Sequence, residues 1–224
     1  MDVFTPYHGE NADEKHKTTT GDQMSSRISW VLMTLLALGV AGYAMMNLLL
    51  PSFRNPFVQQ IFALSPSAIS LHLFGGSVAM IVGAFQLNSK LRARYIVMHR
   101  WLGRVYVLAV AIGGVAGFIL ALNSFGGMTT HLGFGLMAVC WLATTLMAYW
   151  HIRQGNVRAH RDWMLRSYAL TLAGVTLRVY LGISALIGVK FVDFYPILSW
   201  ICWVPNLLIV QWFIIKYPYK NSNN

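Results

Sequence analysis

Six long apolar runs, separated by short stretches that carry most of the charge, constrain this chain more than any other feature. They lie at roughly residues 28–50, 67–87, 102–122, 131–150, 164–187 and 195–215. A helix needs about 20 apolar residues to cross about 30 Å of hydrocarbon. Only helices and closed barrels satisfy their own backbone there. The chain is 56% hydrophobic and 11% charged, whereas a soluble domain carries about 25% charged residues. The expectation is an all-α, six-helix transmembrane bundle over 28–216, with a flexible tail over 1–27 and a short tail over 217–224. Short connections make consecutive helices antiparallel neighbours. Pro51, Pro66 and Pro196 fall near span ends, where a missing N–H does least damage, and Pro205 is expected to kink the sixth span. The first run exceeds the about 7–15 residues of a signal-peptide core and reads as a retained anchor.

Direction follows from the basic residues beside each span. Lys15, Lys17 and Arg27 precede the first; Lys90, Arg92, Arg94, Arg100 and Arg104 surround the second connection. Arg153, Arg158, Arg161 and Arg166 surround the fourth, and Lys216 and Lys220 follow the sixth. The opposite side holds only Arg54 and Lys190, while Arg178 lies within a span. This bias places both termini on the cytoplasmic side. The net charge of +10 is therefore a topogenic signal and a surface for anionic lipid, not a nucleic-acid face. The expected compartment is the cytoplasmic membrane of a bacterium.

Two stretches repeat. His72-Leu-Phe-Gly-Gly leads to His99-Arg-Trp-Leu-Gly-Arg-Val-Tyr, and His131-Leu-Gly-Phe-Gly leads to His160-Arg-Asp-Trp-Met-Leu-Arg-Ser-Tyr. The second histidine interval is two residues longer, and Asp162 is a further insertion. The units cover about 66–123 and 128–187, so helices two and three repeat as helices four and five. Two-helix units enter the membrane in the same direction, which relates them by a pseudo-twofold axis along the membrane normal. That axis sets His72 opposite His131 near the outer side and His99 opposite His160 near the inner side. Along a helix, His72 and Asn88 are about 24 Å apart, so the two pairs belong to opposite faces of the bilayer.

An ionisable residue in a span is a functional candidate, because its burial is costly without a partner. Opposed imidazoles suit bis-histidine ligation of haem or a small metal site. Gly76, Gly135 and Gly103, each one turn after a histidine, would leave room for a flat macrocycle. Haem propionates need cations, and Arg104, Arg166 and Arg178 are the candidates. No acid occurs between Asp22 and Asp162, so Arg178 has no carboxylate partner in spans one to four. With no Cys-x-x-Cys-His motif, any haem would be held without thioether bonds; Cys140 and Cys202 read as small core hydrophobes.

Plainer readings compete with each of these. Glycine stripes in membrane helices more often serve close packing, and the positive-inside rule alone accounts for the loop arginines. Trp101, Trp163, Tyr106 and Tyr168 read as an interfacial belt. His151 has no counterpart in the repeat, where Arg92 aligns, and His8 and His16 belong to the tail. The scarcity of acids excludes His-Glu-x-x-His chemistry and paired-carboxylate catalysis, and no phosphate-binding loop is present.

The runs from His99 to Tyr106 and from Ala159 to Thr171, with Val175-Thr-Leu-Arg178, resemble an uncharacterised family of bacterial membrane proteins defined only as a domain of unknown function. The likeness spans about residues 66–185 and implies fold and compartment, not a reaction. More distantly, the layout is similar to the ascorbate-reducible transmembrane b-type cytochromes. That resemblance implies one ligand pair from helices two and four (His72, His131) and another from helices three and five (His99, His160). The spacing within each unit is shorter here. The leading expectation is thus a membrane protein binding one or two b-type haems and passing electrons to a quinone or another redox partner; as an enzyme it would be an oxidoreductase. A small-molecule or ion carrier and a non-catalytic scaffold are the alternatives. The sequence is silent on oligomeric state.

Overall fold

The structure, a computed structural model, describes residues 12–218. Among the described residues it holds ten α-helices, one 3-10 turn and no strand. Four spans are single helices: the outer part of α1 (Ala12–Leu49), α3 (Pro66–Gln86), α5 (Ile96–Leu122) and α6 (Met128–Arg153). The fifth and sixth are each broken in two. α7 (Val157–Thr171) continues as α8 (Ala173–Leu186), and α9 (Phe191–Ile201) as α10 (Val204–Lys216). All six segments are long and apolar enough to cross a membrane.

The connections are more structured than their length suggests. After α1, a 3-10 turn at Pro51–Phe53 leads into α2 (Pro56–Leu64), a helix not expected from the sequence. Asn55 starts α2 by accepting from the Val58 amide at 2.9 Å, with Pro56 at the first helical position. Arg54 donates to the Asn47 and Leu48 carbonyls and so caps the end of α1. The inner connection carries α4 (Ser89–Arg94), capped by Asn88, and Asn156 caps α7 through the Ala159 amide. α1 already begins at Ala12, within the stretch expected as a flexible tail. Residues 1–11 and 219–224, the remainder of the two expected tails, lie outside the described part.

Within each repeat unit the two spans form a tight hairpin. α3 meets α5 through glycines: a Cβ built on Gly75 would lie 2.7 Å from the Ala109 carbonyl oxygen and from the Gly113 amide nitrogen. Backbones approach this closely only without side chains between them. α6 pairs with α7, α5 also packs on α6, and α1 covers α3.

Across the units, Tyr106 and Tyr168 occupy equivalent repeat positions, and both turn into the core, 0% and 2% exposed. The Tyr106 hydroxyl shares hydrogen bonds with Ser167 (2.8 Å) and Thr171 (2.9 Å), while Tyr168 donates to the Met80 carbonyl at 3.2 Å. Both rings flank Gly83. They are core residues rather than the expected belt, because inward hydroxyls find protein partners that lipid cannot supply. Trp101, by contrast, is 62% exposed.

The breaks in the last two spans differ in origin. Pro205 begins α10, and the interruption falls just before it at Cys202–Trp203. Pro196 sits inside α9 rather than at a span end. The break at Leu172 was not visible in the sequence. There Asn206 on α10 donates to the Ala169 carbonyl at 3.2 Å and exchanges hydrogen bonds with Thr176. A backbone group released by a break inside the membrane needs such a partner.

Candidate functional site

α3 and α6 pack on α5 from either side, and in the outer part of the bundle the space between them and α1 and α8 remains open. It forms a cavity of about 1150 Å³. Small residues shape its walls, among them Ala41, Gly76, Gly113, Gly117 and Gly174. Leu170 and Thr171 beside the break in span five, and Cys202 at the break in span six, reach its wall as well. On the outer side Phe57 of α2 meets Phe125, Phe191 and Tyr195 with ring centroids 5.0–6.4 Å apart. This aromatic cluster gathers α2, the third connection and α9 beside the mouth.

Four polar side chains stand out in this apolar space: Tyr43 and Asn47 on α1, His72 on α3 and Arg178 on α8. His72 Nδ1 lies 2.9 Å from the Gly113 carbonyl oxygen. A carbonyl only accepts, so Nδ1 carries the proton and Nε2 is left with its lone pair. The room beside this ring comes from Gly117, where a Cβ would lie 2.9 Å from Nδ1. Gly76, expected to give that clearance, has nothing within 4 Å of its Cβ position; it lines the cavity as open wall. Gly135 packs near Phe118 and Ala121 instead.

Arg178 donates to the Gly174 carbonyl at 2.9 Å and lies 5.4 Å from the centre of the Tyr43 ring, while its Nε is buried without a partner. Asn47 is 2% exposed. Its Nδ2 donates to the Tyr43 carbonyl, which fixes the amide orientation, and its Oδ1 is buried and unpartnered.

The other histidines divide. His131 shares a helix face with Phe134, Ala138 and Trp141, which line the cavity. His131 itself does not line the cavity, and its Nε2 lies 3.0 Å from the carbonyl oxygen of Ser124, which does. The expected outer partners therefore do not both line the cavity: His72 does and His131 lies behind its edge. At the inner end, His99 and His160 lie within electrostatic range of each other and of Arg92. His160 Nδ1 is 2.9 Å from the Ala148 carbonyl, which leaves its Nε2 free. His99 Nδ1 is buried and unpartnered. Arg104 and Arg166 each stack on the tryptophan three residues earlier, 4.7 Å from Trp101 and 4.6 Å from Trp163. Arg166 also donates to Gln211 Oε1. Both arginines are held at the inner rim by their own chain. Among the described residues no three His, Cys, Asp or Glu side chains cluster as a metal site would require.

Asn47 and Gly117 were missed from the sequence. An asparagine in an apolar run was a usable signal for the first; Gly117 lies among several small residues of its span, and nothing local singles it out. Nothing in the chain announced α2.

Known proteins add the following. A curated protein of Aspergillus versicolor, "Ava biosynthesis cluster protein G", is 23% identical over 154 residues. The alignment covers 55% of this chain and 44% of that protein, so the chain spans less than half the relative's length. No solved structure matches. A family profile described as a predicted membrane protein matches residues 69–215, from the second span to the end of the sixth. Its extent agrees with the bundle in the structure, and this chain belongs to that family of multi-pass membrane proteins, DUF2306.

Proposed function

We propose that the protein binds a b-type haem in its outer cavity and serves electron transfer in a membrane, taken here as the cytoplasmic membrane of a bacterium. The observation that carries this reading is His72. Its Nδ1–H is committed to a backbone carbonyl and its Nε2 lone pair is free, on the wall of a cavity of about 1150 Å³. Histidines that ligate metals are oriented in this way by a hydrogen bond from the other ring nitrogen. A bound haem would supply one-electron chemistry, with the protein supplying ligation and electrostatics. His72 would hold the iron, Gly113 fixes its tautomer, and Gly117 keeps its ring in place by leaving room for it. The glycine-lined wall suits a flat ring system, and Arg178 supplies a positive charge for an acidic edge. His99 and His160, with one ring nitrogen of His160 fixed in the same manner, are the corresponding candidates for a second haem. A quinone or another redox protein would be the acceptor.

The absorption spectrum of detergent-purified protein expressed with ample haem supply tests this. The expected result is a Soret band with stoichiometric haem, lost or strongly shifted in His72→Ala. Colourless protein that also fails to take up added haemin would defeat the reading.

A second reading has a specific observation behind it. Spans five and six are both interrupted, and residues beside both breaks reach the cavity wall. Interrupted helices around a central site are the habit of small-molecule carriers. Substrate-dependent uptake into proteoliposomes by colourless protein would favour it.

A further inference from the structure

We infer that the outer cavity anchors a carboxylate-bearing apolar molecule, with Arg178 holding the carboxylate and Asn47 accepting a hydrogen bond from a water that the carboxylate carries. This deepens the preceding reading and rests on the cavity being a ligand site, without depending on the ligand's being haem. Haem propionates and free long-chain acids share the chemistry.

The direction of the Arg178 side chain is the first argument. Span five runs from the inner to the outer side, so an arginine this far along α8 could extend outward to the interface, as long basic side chains do. It turns the other way. Its guanidinium reaches back to the Gly174 carbonyl, four residues nearer the membrane centre, and lies beside the Tyr43 ring. The helix backbone thus holds the charge inside the cavity.

The second argument is the absence of a countercharge. Arg178 is the one formally charged side chain among the described residues lining the cavity. Asp162 is bonded to Arg161 at the inner end of α7, and Asp193 lies in the first turn of α9 and does not line the cavity. A cation within a span is costly unless it is paired or hydrated, and one buried donor, Nε, has no acceptor. A carboxylate meets both needs, since arginine engages it through paired N–H groups.

Asn47 is the independent observation. It comes from a different helix, is almost wholly buried beside the same space, and carries an acceptor for which the protein supplies no donor. An orphaned donor and an orphaned acceptor, beside a pocket lined mainly by apolar residues, fit a hydrated polar head with an apolar body.

The test uses the full chain in detergent and two matched pairs of probes: haemin with its dimethyl ester, and oleate with methyl oleate. We expect at least one acid to bind wild-type protein about tenfold or more tighter than its ester, the scale of a charge-assisted hydrogen bond. Arg178→Gln should remove that advantage and leave ester binding unchanged, Arg178→Lys should restore part of it, and Asn47→Leu should weaken the acid several-fold. Acid and ester binding equally to wild-type protein, or neither acid binding, overturns the proposal, and this comparison needs no variant to fold. Oleate bound through Arg178 with haemin ignored would end the haem reading and keep this one. Haemin bound regardless of Arg178 and of esterification would do the reverse.

Discussion

Tyr106 and Tyr168 were expected to lie in an interfacial belt on depth and residue type alone, yet each directs its hydroxyl inward. What separates belt from core here is the surroundings on other helices: Ser167, Thr145, Thr171 and Trp141 bond one another around the Tyr106 hydroxyl. Removing that hydroxyl leaves buried partners short of a bond, which costs about 1–3 kcal/mol. Tyr106→Phe should therefore lower the unfolding midpoint in detergent more than Tyr168→Phe, whose hydroxyl makes a single 3.2 Å bond to Met80. Equal midpoints for the two variants would show that the shared network adds nothing. His72 is the opposite case. Its place inside a span singled it out from the sequence, but the tautomer that defines its chemistry comes from Gly113, forty-one positions away.

Between elements, neighbouring glycines have different roles. Gly75 faces backbone atoms of α5 that cannot move aside, whereas Gly76 faces open cavity. Gly75→Ala should force the hairpin apart and lose about 1–3 kcal/mol, the usual cost of overpacking. Gly76→Ala should leave the thermal midpoint close to wild type, so a comparable loss at both positions would contradict this assignment. Asn206→Leu should loosen the break in span five by leaving the Ala169 carbonyl unpaired. The expected loss is about 0.6–2 kcal/mol, the measured scale for hydrogen bonds between membrane helices, with faster amide exchange confined to residues near Leu172 as the readout. Spans and repeat were legible because apolar length and the recurring His-Arg…Trp…Arg…Tyr pattern are local signals. The Leu172 break was not, because it depends on a side chain from another span. Likewise, the sequence offered His72, Arg178 and Gly76 as site residues, but not that His131 would turn to Ser124, a choice made by rotamer and neighbouring backbone.

For the whole molecule, the basic residues predict which connections lie on which side of the membrane. Ser52 lies in the outer connection and Ser89 in the inner one, both exposed. A membrane-impermeant maleimide should label Ser52→Cys in intact cells and Ser89→Cys only after permeabilisation; the reverse pattern would invert the topology. The native thiols are half-buried (Cys140) and buried (Cys202), which keeps the background low. The cavity has one further consequence, which follows from mass action. Because it exists only when α1, α3, α6 and α8 are assembled, any molecule that fills it binds the folded state alone. Folding and occupancy are then linked, and a ligand at one hundred times its dissociation constant adds about 2.7 kcal/mol to the stability of the bundle. A rise in melting temperature across a chemical library would report the occupant without any assumption about its colour, charge or reactivity.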